Sequence, residues 1–243
     1  MKTIAALIPL TRKNSEHHFG ISIISGSIKA LELNLAELHP KELEIYSSYK
    51  HERRKMSYLL GRLSAKRAIS ELTHFNPFNA IFIDVAVFEF PVVKCLAIQN
   101  IQLSISHCNN IGLSIAFPES HPMGIDFEEI NTNNRGVLKD QMTLEEIQLV
   151  EYLFSEEAKG YTLLWTAKEA LSKIFRTGLM IDFKLLELDE IVKKGTVWES
   201  TFKYCGQYKA ISYFSGTYVC SLVLPKYSSF NISELLKVFK FLD

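Results

Sequence analysis

The sequence predicts an α+β fold of two similar halves, each a helix packed on a small antiparallel sheet, with the active site in the cleft between them. Three observations point there. A helix-forming segment followed by short strand-like runs occurs twice in the 243 residues. The runs are bounded by Pro, Asn or Gly and partly alternate in polarity, as antiparallel strands do. Finally, "PESHP" at 118–122 punctuates the chain near its midpoint. The expected halves are residues 1–120 and 121–243.

The first half begins with the strand-like "FGISIISG". A stretch from Pro40 to Leu72 follows, rich in helix formers and with apolar residues at helical intervals. "IFIDVAVFEF", "IQLSISHC" and "IGLSIAFP" then read as strands. The second half repeats the order: strand "GIDFEEI", polar loop "NTNNRG", acidic helical residues, the helix "EAKGYTLLWTAKEALSKIF", and the strand-like "FKLLELDEI", "STFKYC", "YKAISYF" and "TYVCSLVL". The tail "NISELLKVFKFLD" opens on a capping-box pair, Asn231 and Glu234, and reads as a last amphipathic helix.

Hydrophobic residues make up 47% of the chain, enough for a well-packed core, and the formal net charge is zero. No bulk charge favours nucleic acid or an anionic membrane, so neither is expected as a partner. The charge is unevenly spread: residues 1–75 hold 12 Lys/Arg against 7 Asp/Glu, and residues 120–160 hold 3 against 9. A basic segment therefore precedes an acidic one. The four cysteines form neither a CxxC pair nor a disulfide framework. "MKTIAALIPL" is too brief for a signal segment and no apolar run reaches membrane-spanning length, so a cytoplasmic location is expected, and a two-half chain that can build its cleft internally is expected to be a monomer.

Two stretches carry chemistry. In "MGIDFEEI" an extended chain turns Asp126 and Glu128 to the same face, where two carboxylates roughly 7 Å apart repel unless a cation or donor compensates. In "WTAKEALSK" a helix gathers Leu163, Ala167, Ala170, Leu171 and Ile174 on one face and aligns Trp165, Glu169 and Lys173 on another. A tryptophan on the polar side implies that this side too is covered, as the wall of a site would be. Alone, Glu169 and Lys173 would be an ordinary surface pair worth about 0.2–0.5 kcal/mol.

Together the stretches resemble the bipartite signature of the Sfp-type 4'-phosphopantetheinyl transferases, G-(V/I)-D followed some forty residues later by W-x-x-K-E-x-x-x-K. "SISHC" resembles the family's upstream Ser-His strand and "LLGRLSAKRAI" its first long helix. The resemblance implies the pseudo-twofold fold of that family. It also implies transfer of 4'-phosphopantetheine from coenzyme A to a serine of an apo acyl or peptidyl carrier protein, with magnesium required and 3',5'-ADP released.

The resemblance makes Asp126, Glu128 and Glu169 the metal ligands, with Glu169 also accepting the serine proton. It places Lys173 at the pyrophosphate, His107 and Ser106 near the phosphates, and Lys168 beside the site. In the basic "HERRKMSYLLGR", Arg53 is the first candidate for the 3'-phosphate and Arg62 the second. On one unbroken helix these two point to opposite sides. Where many relatives have Gly-Lys-Pro against the adenine, this chain has "FPVVKCLAI", leaving Lys94 as the substitute. The competing readings are a non-catalytic coenzyme A or carrier-protein binding module and a magnesium-dependent phosphoesterase.

Overall fold

The computed structural model of the chain describes residues 1–242. It divides into two compact units, one of residues 1–122 with 229–241, the other built from residues 123–228.

In the first unit the hairpin β1 (Lys2–Arg12) and β2 (Ser15–Ser25) pairs along its full length. After the short α1 (Ile28–Glu32), the expected helix over 40–72 is two helices, α2 (Pro40–Ser48) and α3 (Glu52–Thr73). They part where Tyr49 and His51 adopt extended backbone. "IFIDVAVFEF" is likewise not one strand. β3 (Phe82–Val85) turns back into β4 (Pro91–Lys94) around Phe88, whose φ of 70° no continuous strand can hold. β5 (Ile101–Cys108) and β6 (Ile111–Pro118) follow as expected. The main sheet runs β1-β2-β6-β5, all antiparallel.

α3 lies against β2 and β6 at a distance only glycine permits: a Cβ at Gly20 would sit 2.0 Å from the Ala68 carbonyl oxygen. Glu42, at the third position of α2, is fully enclosed and accepts a hydrogen bond from the His39 amide. It also accepts from the Ile83 amide and pairs with the buried Lys66 of α3 at 2.8 Å. Lys66 donates as well to the carbonyls of Phe78 and Ile81. One carboxylate thus fastens α2, α3 and β3.

The second unit runs β7 (Gly124–Glu129), α4 (Arg135–Asp140), α5 (Leu144–Leu153), α6 (Glu157–Phe175), β8 (Leu188–Lys194), β9 (Val197–Phe202), β10 (Tyr208–Ser215) and β11 (Tyr218–Pro225). Its antiparallel sheet has the order β7-β11-β10-β9-β8. The same devices recur. A Cβ at Gly124 would meet the Ala170 carbonyl oxygen at 1.9 Å, so α6 presses on β7 as α3 does on β2. Glu146, in the capping box of α5, is fully enclosed, accepts from the Thr143 and Leu188 amides, and pairs with buried Lys168 at 2.6 Å. Even a helix-to-strand hydroxyl pair recurs, Ser64 with Ser114 at 2.6 Å and Thr166 with Ser221 at 2.7 Å. "GIS" (20–22) with "SAKRAIS" (64–70) therefore occupies the positions that "GID" (124–126) with "TAKEALS" (166–172) occupies in the second unit.

The tail corrects the expected division at one end. α7 (Ile232–Phe239) buries Leu235, Val238 and Phe239 and packs on β1, so residues 229–241 belong to the first unit. Asn231 caps it by accepting from the Ser233 amide. None of the helices described is long and apolar enough to cross a membrane.

Candidate active site

β7 is the edge strand of its sheet, with Asp126 opposite Ser221 and Glu128 opposite Val219 on β11. Strand alternation turns both acids toward α6, and the glycine contact at Gly124 brings that helix close enough for Glu169 to join them. Oxygen atoms of Asp126, Glu128 and Glu169 lie within 4.8 Å of one another, the only such group of metal-ligand side chains among the described residues. From one turn further along α6, the Lys173 ammonium donates to Asp126 Oδ1 at 2.7 Å and to the Ile125 carbonyl at 2.9 Å.

One ammonium does not balance three carboxylates. Burial and then the Asp126 charge push the Glu128 carboxyl up to about 7, against the pull of Lys173. Glu169 is raised too, again by burial first and the Asp126 charge second. Burial alone would lower Lys173, but Asp126, Glu169 and Glu128 together hold it above the ordinary lysine range. Three hard oxygens with a charge deficit fit a divalent cation, and magnesium suits such a set because it bridges carboxylates to phosphates. In the first unit Ser22 and Arg67 stand where Asp126 and Glu169 stand here, and Arg67 is held by a two-fold contact to Glu37. Among the described residues the carboxylate cluster has no counterpart there.

Residues 122–223, a span that holds all three carboxylates and Lys173, match the family model of the 4'-phosphopantetheinyl transferase superfamily. Over that span the chain is similar to this superfamily. The crystal structure of holo-ACP-synthase from Plasmodium yoelii is similar over 47% of this chain and 96% of that one, at 23% identity and a TM-score of 0.37. Among curated proteins no relative matches the sequence.

The remaining residues implied by resemblance to these transferases separate into two groups. Arg62 and His107 line one open cavity of about 290 Å³ in the first unit, with Tyr49, Arg54, Tyr58, Val85 and Pro91 among their neighbours. The others do not join them. Arg53 is exposed and outside the cavity lining, because α3 is unbroken from Glu52 to Thr73 and turns Arg53 away from the face of Arg62. Ser106 is buried on the face of β5 opposite His107, as alternation requires. Lys94 spans the β3–β4 hairpin to Asp84 at 2.5 Å. Lys168 is enclosed and committed to Glu146, so the expectation that it flanks the cofactor fails on burial. Trp165 meets Phe183 edge-on at 4.8 Å, a partner within its own unit that explains an aromatic on the polar side of the helix. Arg54 escaped the sequence reading, although Arg54, Ser57, Tyr58, Gly61 and Arg62 follow the i, i+3, i+4, i+7, i+8 spacing of one helical face, and all five line the cavity.

Proposed function

We propose that the protein transfers 4'-phosphopantetheine from coenzyme A to a serine hydroxyl of an apo acyl or peptidyl carrier protein, in a magnesium-dependent reaction that releases 3',5'-ADP. The observation that carries this reading is the convergence of Asp126, Glu128 and Glu169 within the matched span.

The serine oxygen bonds to the pantetheine-bearing phosphorus, and the bond from that phosphorus to the bridging oxygen breaks. 3',5'-ADP leaves with the electron pair. Magnesium held by Asp126, Glu128 and Glu169 would supply the neutralisation of negative charge on the pyrophosphate. The serine proton goes to Glu169, whose raised affinity for protons suits a general base. Lys173 fixes the orientation of the Asp126 carboxylate through Oδ1 and brings a permanent positive charge to the phosphate-binding side of the cluster. Arg62 and His107 are cationic support for the phosphates of the cofactor.

The test is whether release of 3',5'-ADP from coenzyme A requires both magnesium and an apo carrier. Release without carrier would make the protein a phosphoesterase. Binding of coenzyme A with no release would make it a binding module.

A further inference from the structure

The chain leaves the first unit after Pro122 and returns to it at Ser229, and both crossings are fastened near the turn of the β1–β2 hairpin. On the outgoing side the His121 ring lies against that of His17 on β2, with centres 4.6 Å apart and planes tilted by 34°. On the returning side the Phe230 ring meets Phe19 edge-on at 6.3 Å, and the Ser229 hydroxyl donates to the Thr11 carbonyl of β1 at 3.4 Å. His17 and Phe19 are two residues apart on β2, opposite Leu10 and Ile8, and so share one face of the strand. One strand face thus receives both crossings.

The outgoing crossing leads straight into the carboxylate strand. Only Pro122 and Met123 separate His121 from Gly124, the first residue of β7, and three residue steps reach at most roughly 11 Å. Met123 is itself buried, and β7 is bonded to a single neighbour in its sheet, β11. A displaced His121 is therefore felt where β7 starts. The enclosed ring also resists charge. Burial first, then the charges of His17 on β2 and Arg12 on β1, hold its pKa at about 4 instead of 6.5. On its own segment Glu119 is engaged by Gln102 of β5 at 3.1 Å. A proton taken up by the ring above that low value is accommodated by the ring leaving its enclosure.

We propose that the turn end of the β1–β2 hairpin is a clasp on both crossings, with the His17–His121 contact as its acid-sensitive pin. Protonation of His121 releases residues 118–123 and, with them, the start of the strand that carries Asp126 and Glu128. The returning crossing is held by Phe230 and Ser229, neither of which titrates in this range, and stays closed. The device belongs to the folding of this chain and stands whether or not the proposed transfer does.

Hydrogen exchange of the full chain in divalent-free buffer, read peptide by peptide from pH 7 to pH 4 against each peptide's unfolded rate, tests this without any turnover. In wild type the opening of residues 118–129 should rise about 100-fold across that range, the ratio set by a ring pKa of about 4 in place and 6.5 when released. Residues 229–241 and α3 should keep their protection. His121→Gln cannot take the proton and should lose that rise, whether its segment starts closed at pH 7 or already open. A flat response in wild type, or a rise of the same size in His121→Gln, would overturn the pin. Loss of protection in α3 at the same pH would make the event global unfolding and overturn the local release. A rise confined to 118–123, with 124–129 still protected, would overturn the link to the carboxylate strand.

Discussion

The Lys168 ammonium lies 2.6 Å from the Glu146 carboxylate with neither side chain exposed, and this contact separates the two lysines of "WTAKEALSK" by role. Lys168 holds α6 to the start of α5. Lys173 holds Asp126. Removing one partner of a buried pair strands the other charge, so Lys168→Ala should lower stability by about 3–5 kcal/mol in denaturant unfolding. Lys173→Ala should cost less stability, since its side chain is about a quarter exposed, and should weaken coenzyme A binding instead. A Lys168→Ala protein with normal unfolding and lost cofactor affinity would reverse the assignment.

The glycine of "GID" predicts an effect on geometry. Gly124→Ala places a methyl group 1.9 Å from the Ala170 carbonyl oxygen, where backbone cannot yield, and must push α6 off β7. A stability loss of about 1–3 kcal/mol or more is expected, together with loss of divalent-ion binding as Glu169 moves from its partners. Gly20→Ala creates the equivalent clash with Ala68 in the unit that lacks the carboxylates, and should cost stability alone.

Like charges crowd the carboxylate cluster, and relieving them should show in thermal melts. Glu128→Gln removes one of three mutually close acids and should raise the melting temperature in divalent-free buffer by about 2–4 °C, the shift that ~1 kcal/mol produces in a chain of this size. Added magnesium should raise the wild-type melting temperature and do little for the variant. A variant less stable than wild type without metal would mean that the repulsion is already compensated.

His121 gives the first unit an acid-labile point. Its ring is fully enclosed, tilted against His17 with ring centres 4.6 Å apart and near Arg12, and burial, then these neighbours, depress its pKa from 6.5 to about 4. Between those values the unfolded chain binds the proton and the folded one does not, so stability falls as pH drops from about 6.5 toward 4. Denaturant midpoints across that window should fall less steeply in His121→Gln than in wild type. Parallel curves would show that the acid sensitivity lies elsewhere.

Much of the site was legible because its rules are local. Alternation alone put Asp126 and Glu128 on one face, and the helical period alone aligned Glu169 with Lys173. Burial is not local, which is why Lys168 looked like a cofactor residue until Glu146, 22 positions earlier, closed over it. Arg53 and Arg54 differ by one position, or 100° of helix, and only the cavity decides between them. The missed β1 opens on the apolar "KTIAALIPL", whose strand pairing depends on β2 across the turn. One nonlocal feature was readable all along. "SAKRAIS" and "TAKEALS" are near copies 102 residues apart, and comparing them sets the shared lysine, buried in both units, apart from the exchange of Arg67 for Glu169, where the two units differ.

The most direct test of the account is the intact mass of an apo carrier protein after incubation with coenzyme A and magnesium, with wild-type protein and with Glu169→Gln. The variant keeps size and one oxygen but cannot take the serine proton, and general-base assistance is typically worth about 10² to 10⁴ in rate. The account predicts that wild type adds one phosphopantetheine to the carrier, that chelation of magnesium stops it, that a carrier lacking the acceptor serine gains nothing, and that Glu169→Gln slows it at least a hundredfold. A carrier of unchanged mass with wild-type protein, or full-rate modification by Glu169→Gln, would contradict it.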